Sequence, residues 1–422
     1  MDNTSQYPYF FTWSMQQGQK PIQINGGKGA HFFDDSENSW LDLGALSYQC
    51  NLGHGRDEIA AAICKQAQKQ CITAPNFSYP EKEALARKLL TLCPPGFSKV
   101  FFTLGGAEAN ENAMKIAKLV TGRHGFVSRI RSYHGASLGA LSLTGDYRRA
   151  PFEPLLQGVT HVLDTECKAC PAELRSEHCT HRPLSQIPAV LEAAKPQSYA
   201  AVFLEAVAGS NGVIIPPPDY LKSIREACDT HQVLLVFDEV LTGFGRTGKT
   251  FAFENFDGVV PDMITIGKAL TGGYAPLGAV LVHDKLARHF DQQALLCGLT
   301  HYAHPLGVAA GLCALNLYEQ EALNARAHKT GQWLKKQLQL IQEKFPKRII
   351  QTRSIGLLAA IDLDCTQEQL SALKICFLKK HVHLHMRFDS PRLILAPPLG
   401  IEQTELKEGL DIIEQAIREV LS

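Results

Sequence analysis

The sequence predicts an α/β fold with a mostly parallel sheet. Through the middle of the chain, short apolar runs of strand length alternate with helix-like segments, which is the pattern of successive βαβ units. The runs are apolar throughout, as expected for strands that are covered on both faces. With 422 residues, 45% of them hydrophobic, the chain is long enough for more than one domain and too apolar to be disordered.

The predicted elements follow one another in a regular order. Strands are predicted at 100–103, 200–204, 233–237, 263–266 and 278–282, and helices at 107–120 and 220–231. The pattern is helical from 305 to about 343, short strands are expected near 357–363 and 381–386, and an amphipathic helix at 403–421. We therefore expect a large domain at 51–300 and a smaller α+β domain at 301–422. Residues 1–50 should belong to the small domain, and a long helix should join the two domains.

The charge balance limits the possible partners. Lys plus Arg and Asp plus Glu each number 42, so the basic excess typical of nucleic-acid or acidic-membrane binding is absent. Charged residues make up 20%, below the usual value of about 25%, which favours an oligomer that hides part of its surface. The first residues lack a signal-peptide pattern and the 12 cysteines are irregularly spaced, so we expect a cytoplasmic protein with reduced thiols.

One uncharged stretch, residues 292–318, is long enough to span a bilayer. It nevertheless contains two glutamines, two histidines and an asparagine, and membrane spans seldom carry so many polar groups. We interpret the stretch as a buried or interfacial segment of a protein without a membrane span.

Two short motifs match catalytic patterns but lack the required context. Residues 243–250 match the P-loop pattern G-x-x-x-x-G-K-[ST], yet the aromatic segment that follows has no helical periodicity, whereas a P-loop must open a helix. Residues 135–139 match the nucleophile elbow G-x-S-x-G around Ser137, but the preceding residues are too polar for a central strand. A P-loop ATPase and a serine hydrolase therefore remain only distant alternatives.

Chemically useful residues stand at the ends of the predicted strands. Glu205, Asp238 and Lys268 each follow an apolar run, and a Gly-Gly turn at 105–106 leads from the first strand into a helix. Ligands of parallel α/β sheets bind beyond the carboxyl ends of the strands. A lysine for a Schiff base, a carboxylate for a pyridine nitrogen and a glycine-rich helix start for a phosphate together suit pyridoxal phosphate.

These residues lie in segments that resemble the class III, or ω-, aminotransferases, which are fold type I pyridoxal phosphate enzymes. The matching segments are 204–205 with 212–217, 237–248, 261–262 and 267–278, together with 53–55, 105–111, 133–135 and 300–305. The resemblance thus runs over nearly the whole chain and implies a large domain with a mostly parallel seven-stranded sheet. The segment Thr12-Trp13-Ser14 and the cysteine-containing insert near Cys167 are similar to taurine–pyruvate and related ω-amino acid–pyruvate aminotransferases.

The resemblance implies a role for each residue of the cofactor site. Lys268 would form the Schiff base and carry the proton, and Asp238 would pair with the pyridinium nitrogen. Val240 and Tyr133 would cover the two ring faces, with His134 beside them. Gly106 and Ala107 would offer amides to the phosphate, and Glu205 would lie near the ring hydroxyl or a switchable arginine. Gly105 and Ala107 replace hydroxyl residues that are frequent in the family, so the phosphate is expected to depend more on backbone amides.

The resemblance also implies substrate and subunit contacts. Thr300 would reach the phosphate of a neighbouring subunit in a homodimer with shared active sites. Arg392 would bind the α-carboxylate of a 2-oxo acid, because a guanidinium holds a carboxylate through two hydrogen bonds. Trp13 and Tyr48 would line the substrate pocket. The expected reaction moves an amino group from an ω-amino acid or amine of the taurine, β-alanine or 4-aminobutyrate type to pyruvate or another small 2-oxo acid.

Several alternatives remain open at this point. An aminomutase, a racemase or a decarboxylase on the same fold would use the same cofactor. Residues Cys167, Cys170, Cys179 and His181 have a spacing close to that of zinc sites, but we predict no metal because the pattern is incomplete. His381, His383 and His385 alternate, so we expect them on one half-exposed face of a strand without a metal.

Overall fold

The computed structural model describes residues 7–163 and 186–421. Its strands are β1 (Ile24–Lys28), β2 (His31–Asp34), β3 (Ser39–Asp42), β4 (Phe97–Thr103), β5 (Gly125–Arg129), β6 (Val159–Val162), β7 (Tyr199–Leu204), β8 (Leu234–Asp238), β9 (Met263–Ile266), β10 (Gly278–His283), β11 (Ile349–Ile355), β12 (Leu358–Leu363), β13 (Val382–His383), β14 (His385–Arg387) and β15 (Arg392–Leu395).

The helices alternate with these strands over much of the chain. They are α1 (Ala45–Tyr48), α2 (Asp57–Lys69), α3 (Pro80–Thr91), α4 (Gly106–Thr121), α5 (Leu138–Leu143), α6 (Gln186–Ala193), α7 (Tyr220–Thr230), α8 (Asp284–Ala287), α9 (Pro305–Gln320), α10 (Leu323–Lys344), α11 (Gln367–Lys379) and α12 (Gln403–Leu421). Short 3-10 helices complete the described elements.

A seven-stranded sheet forms the centre of the molecule, in the order β4-β10-β9-β8-β7-β5-β6. The pairs from β9 through β8, β7 and β5 to β6 are parallel, and β10 is antiparallel to both of its neighbours. The predicted mostly parallel seven-stranded sheet is therefore confirmed. Because β7, β8 and β9 run in the same direction, the residues that follow them meet at one edge of the sheet.

Successive side chains of the central strands point to opposite faces of the sheet, and both faces are covered. In β7, Val202 and Leu204 pack in one apolar core, whereas Phe203 packs in a second core on the other face. All three side chains are completely buried. The uninterrupted apolar runs of the sequence therefore reflect strands that are buried on both sides.

Two four-stranded sheets lie outside this core, in the orders β1-β2-β3-β13 and β11-β12-β15-β14. The parallel pairing of β3 with β13 joins the N-terminal segment to the C-terminal part of the chain, with Leu41 opposite Val382 and Asp42 opposite His383. This pairing supports the expected small domain, although the division at 1–50, 51–300 and 301–422 stays a prediction.

Two predicted elements are interrupted. The segment with a helical pattern from 305 to about 343 forms two helices, α9 and α10, which are separated at Ala322, where the backbone is left-handed with φ of 48°. The expected strand at 381–386 is also divided, into β13 and β14, which pair with different sheets. His381, His383 and His385 therefore do not share the face of one strand, and the expectation of a single half-exposed strand was wrong.

The uncharged stretch 292–318 folds into an irregular segment followed by most of α9. Within α9 the residues are buried on several sides, as expected for a helix that is apolar all round. Within residues 7–163 and 186–421, none of the helices is both long and apolar enough to cross a membrane.

Candidate active site

Three parallel strands bring an acid, a second acid and a lysine to the same edge of the central sheet. Glu205 follows β7, Asp238 is the last residue of β8, and Lys268 follows β9 after a single glycine. In each case the strand is apolar and buried, and the polar side chain appears at the carboxyl end of that strand, where the chain turns. The charges of Asp238 and Glu205 both act on the Lys268 amine.

The Asp238 carboxylate is buried and held by three donors. Asn110 Nδ2 and His134 Nδ1 each donate to Oδ2 at 2.8 Å, and the Val240 amide donates to Oδ1 at 3.0 Å. Asn110 lies on α4, and its own carbonyl oxygen accepts from the Thr265 hydroxyl on β9. This network sets the orientation of the carboxylate before any ligand arrives.

Lys268 has an unusual backbone and a desolvated amine. Its φ of 40° is in the left-handed region, which non-glycine residues adopt only when the surrounding structure imposes it. Burial lowers the pKa of the Lys268 amine, against the attraction of Asp238 and Glu205, while the nearby positive charge of Arg148 lowers it further. A lowered pKa increases the fraction of neutral, nucleophilic amine at neutral pH.

The first turn of α4 lies close to the segment that carries Lys268, since a Cβ added at Gly267 would lie 3.2 Å from the Gly106 nitrogen. The amides of Gly106 and Ala107 are in the first helical turn, where backbone N–H groups have no acceptor within the helix. A side chain at position 106 would clash, because a Cβ there would lie 2.7 Å from both methyl carbons of Val240. The helix start and the Val240 side chain thus lie in contact.

Glu205 and Tyr133 are connected through the backbone. The buried Glu205 carboxylate accepts from the Tyr133 amide at 3.1 Å and from the Gly209 amide at 2.9 Å. The pKa of Glu205 is raised, and burial of its carboxylate is the largest cause. These bonds hold the loop that carries Tyr133 and His134 against the end of β7, which leaves the Tyr133 ring half-buried beside Lys268.

A cavity of about 640 Å³ opens in front of Lys268, a size suited to a cofactor with a small substrate. Trp13 and Tyr48 lie in its wall, as predicted for pocket aromatics. Trp13 is 62% exposed and meets the Tyr133 ring edge-on at 6.2 Å. The further lining residues are Ser47, Tyr133, Tyr147, Arg148, Ser210, His385, Met386, Arg387, Phe388 and Asp389.

The arginine predicted to bind the substrate carboxylate lies outside this cavity. Arg392 is 4% exposed, and its guanidinium pairs with Asp362 and donates to the Asn211 carbonyl at 2.8 Å. Arg392 belongs to a buried network that also includes Arg353, and it is not among the residues that line the cavity, so the expectation for Arg392 is not supported by the geometry.

Two other arginines, Arg148 and Arg387, line the cavity, and sequence reasoning missed both. The Arg148 guanidinium lies 3.8 Å from the Tyr133 ring centre and pairs with Asp146. Arg387 pairs with Asp389 and lies 3.9 Å from the Asp146 carboxylate. In the sequence, Arg387 is marked only by its position five residues before Arg392. In the structure, the two residues lie directly opposite each other in the β14–β15 pair.

Thr300 does not reach the cavity of its own chain. It is exposed, in the turn that precedes α9, and is not among the residues that line the space in front of Lys268. Its predicted contact with the phosphate of a neighbouring subunit therefore stays a prediction.

The metal alternatives find no support in the described part of the chain. Within residues 7–163 and 186–421, no three His, Cys, Asp or Glu side chains are grouped as metal ligands. Cys167, Cys170, Cys179 and His181 lie outside the described residues. His383 donates to Asp42 and His385 to the Gly44 carbonyl, so both belong to hydrogen-bond networks.

Neither of the two short motifs that match catalytic patterns, 243–250 and 135–139, forms the site that its pattern suggests. Residues 243–250 form successive turns, and the next element is a 3-10 helix (Ala252–Asn255) rather than an α-helix that could bind a phosphate. Ser137 precedes the short helix α5, and the nearest strand before it, β5, ends at Arg129. The context required of a P-loop or a nucleophile elbow is absent at both motifs.

The arrangement at the sheet edge fits pyridoxal phosphate. The helix start could take the phosphate, the buried Asp238 could face the pyridine nitrogen, Val240 and Tyr133 could flank the ring, and Lys268 could reach its aldehyde.

Comparison with known proteins agrees with this fit. Residues 13–417 match the family described as aminotransferase class-III. The chain is 33% identical to an acetylornithine aminotransferase of Methanothermobacter thermautotrophicus, over 95% of each chain. It is 34% identical to an omega-aminotransferase of Caulobacter vibrioides, over 97% of this chain and 96% of that one. The solved structure of a taurine:2-oxoglutarate aminotransferase from Bifidobacterium kashiwanohense, in complex with PLP and glutamate, is 33% identical. It superposes with a TM-score of 0.90 over 97% of this chain and 95% of that one.

The match covers nearly the whole chain, and the sheet, the strand-end residues and the cavity agree with it. The protein is a pyridoxal phosphate-dependent transaminase of fold type I, and it belongs to the class III aminotransferases.

Proposed function

We propose that the amino donor is a small ω-amino acid or amine with an anionic group, of the taurine, β-alanine or 4-aminobutyrate type, and that the acceptor is pyruvate or another small 2-oxo acid. The observation that carries the proposal is the presence of Arg148 and Arg387 in the same cavity as Lys268. Guanidinium groups bind carboxylates and sulfonates through paired, charge-assisted hydrogen bonds, which neutral amines cannot form. A related enzyme is named for taurine and 2-oxoglutarate, each of which carries an anionic group.

We assign the proton transfer to Lys268. When bound, pyridoxal phosphate supplies an electron sink that stabilises negative charge on the substrate carbon. The lowered pKa of the Lys268 amine suits it to accept a proton from the donor carbon and to return it at a neighbouring atom. Asp238 would keep the pyridine nitrogen protonated, with His134 and Asn110 fixing the carboxylate.

Other residues of the site would bind and orient. Gly106 and Ala107 would donate their amides to the phosphate, while Val240 and Tyr133 would hold the ring between them. Glu205 would keep the Tyr133 loop in place through its backbone hydrogen bonds. Arg387, and not Arg392, is our candidate for the substrate carboxylate, with Trp13 and Tyr48 as pocket walls.

We further propose a cytoplasmic homodimer in which Thr300 completes the phosphate site of the partner subunit. The exposure of Thr300 and of Leu296, which is 76% exposed, leaves this apolar segment available for a subunit contact. Sedimentation of the purified protein at decreasing concentration, with activity followed in parallel, tests the proposal. Full activity in a species with the mass of one chain would contradict it.

A screen of donors against acceptors tests the proposed reaction. Taurine, β-alanine, 4-aminobutyrate and matched neutral amines would each be incubated with pyruvate or 2-oxoglutarate, and both products quantified. We expect one amino acid formed for each donor consumed, with a preference for anionic donors. Reactions that occur without an acceptor would indicate the alternatives. Inversion of the donor's stereocentre would indicate a racemase, a shift of its amino group an aminomutase, and release of its carboxylate as carbon dioxide a decarboxylase.

Lys268→Ala provides the control for the screen. The variant should bind pyridoxal phosphate but lose transamination and the visible absorbance of the lysine-bound cofactor. A wild-type protein that is colourless and binds no pyridoxal phosphate would contradict the cofactor site itself.

A further inference from the structure

The cavity wall that carries Tyr48 has a strained backbone. Ala45, Leu46 and Tyr48 have φ values of 46°, 50° and 60°, although none of them is glycine. Leu46 combines its positive φ with a ψ of −106°, outside the regions that side chains favour. Such conformations persist only where surrounding contacts impose them, and they cluster at functional sites. The contacts that hold this segment should therefore be identifiable.

Asp42 provides the first of these contacts. Its carboxylate is completely buried at the end of β3 and accepts from the Gly44 amide at 3.0 Å and from the Leu46 amide at 3.0 Å. The same carboxylate accepts from His54 Nε2 at 2.9 Å and from His383 Nδ1 at 2.8 Å. Asp42 thus connects the strained turn to a histidine of the C-terminal part of the chain.

His385, two residues after His383, provides the second contact. Its Nε2 donates to the Gly44 carbonyl at 3.0 Å, and its ring stacks on the Tyr48 ring with centres 3.8 Å apart and planes inclined by 24°. Burial lowers the pKa of His385 to about 3, so the ring is neutral at neutral pH and stacks without a charge. The close packing leaves no space at Gly44, where a Cβ would lie 2.8 Å from His383 Cε1 and 3.1 Å from His385 Nε2.

We propose that His385 is a positioning residue for substrate specificity, which holds the Tyr48 ring in the cavity wall and is itself kept in place by Asp42 and His383 through the Gly44 turn. The inference rests on the proposed role of Tyr48 in the substrate pocket. His385 and Tyr48 both line the cavity in front of Lys268, so a shift of either ring changes the space available to the donor. The cofactor contacts at Asp238 and α4 lie on other elements and would be unaffected.

Two variants separate the contributions of the ring and the hydrogen bond. His385→Gln keeps a donor for the Gly44 carbonyl but loses the ring, whereas His385→Phe keeps a flat ring but loses the hydrogen bond. His381→Asn is the matched control, because His381 packs on Trp40 at 4.9 Å and does not line the cavity. Asparagine also tolerates the left-handed backbone at this position, where φ is 51°.

For each holoenzyme we would measure the cofactor content and the absorbance spectrum. We would also measure kcat and KM for a short and a long donor. We expect His385→Gln to raise the donor KM about three- to tenfold, the range expected for loss of an aromatic pair. Its kcat should change less than about twofold, and its preference between the two donors should shift. His381→Asn should match the wild type in all of these quantities.

A double-mutant cycle decides between positioning and a general loss of structure. In a Tyr48→Ala background, the change His385→Gln should have little further effect on KM, because its effect acts through the Tyr48 ring. Equal KM changes in both backgrounds, an unchanged KM in the single variant, or a loss of bound cofactor would overturn the inference. A wild-type enzyme that transfers no amino group would instead contradict the proposed function, and the cycle would not be reached.

Discussion

His134 Nδ1 donates a hydrogen bond to the Asp238 carboxylate at 2.8 Å, and both side chains are almost completely buried. His134 belongs to the loop after β5 and Asp238 to the end of β8, so the bond joins two distant parts of the chain at the proposed cofactor site. With Asn110 as the second donor to the same oxygen, the carboxylate is oriented before the cofactor binds. A preorganised charge of this kind stabilises a developing partner charge without reorganisation at the moment of reaction.

Asp238→Asn should therefore reduce kcat by about 10²- to 10⁴-fold while the cofactor still binds, because the amide cannot hold a proton on the pyridine nitrogen. Steady-state kinetics and the cofactor spectrum measure the two effects separately. Asp262→Asn serves as the control, since Asp262 is a buried carboxylate of the same domain that pairs with Arg225. We expect that control to lower stability but to leave kcat of the folded enzyme within about tenfold of the wild type. Equal losses of kcat in both variants would contradict a specific role for Asp238.

Arg387→Gln should weaken the reaction of anionic substrates selectively. Loss of a charge-assisted hydrogen bond should lower kcat/KM for a carboxylate or sulfonate donor by about 10- to 100-fold. Neutral amines of the same length should be affected by less than about threefold, since they offer no anion to the guanidinium. Parallel measurements on matched donor pairs give the ratio directly, and an equal loss for both kinds of donor would argue against this assignment.

Arg392→Met should change stability rather than specificity. The Arg392 guanidinium pairs with Asp362 in the protein interior, and removing one partner of a buried ion pair typically costs about 3 kcal/mol. Denaturant unfolding of the holoenzyme measures this loss. The preference between anionic and neutral donors should remain that of the wild type. A selective loss of anionic donors here, as expected for Arg387→Gln, would restore Arg392 as the substrate-binding arginine.

His385, which is half-buried in the cavity wall, should make the protein less stable in mild acid. Burial lowers the pKa of His385 from 6.5 to about 3, so the unfolded chain binds a proton over this range that the folded protein does not. Stability therefore falls as the pH drops below about 6.5, and the loss grows until about pH 3. At pH 5.5 this group contributes a loss of up to about 1.4 kcal/mol.

Comparison of the wild type with His385→Phe isolates this contribution from those of other titrating groups. The difference in unfolding free energy between pH 7.5 and pH 5.5 should be smaller in the variant, because phenylalanine has no proton to bind. An identical pH dependence in the two proteins would show that His385 binds a proton as readily in the folded protein as in the unfolded chain, which would contradict the lowered pKa.

The sequence alone was sufficient for five of the seven central strands, β4, β7, β8, β9 and β10, and for the polar residues that stand at the ends of three of them. The strands before Glu205, Asp238 and Lys268 are short, apolar and buried, so their local composition specified both the element and the point at which the polar side chain appears. The terminal helix, predicted at 403–421, was found at Gln403–Leu421 because its amphipathic periodicity is a local property.

Pairing between distant strands determined which side chains face the cavity. Arg387 and Arg392 stand directly opposite each other on β14 and β15, yet only Arg387 lines the cavity, because β15 also pairs with β12 and places Arg392 opposite Asp362. The strained turn at Tyr48 likewise depends on β3 pairing with β13, which brings His383 to Asp42. Which of two similar side chains faces a ligand is set by such contacts between distant segments, and local residue patterns do not contain that information.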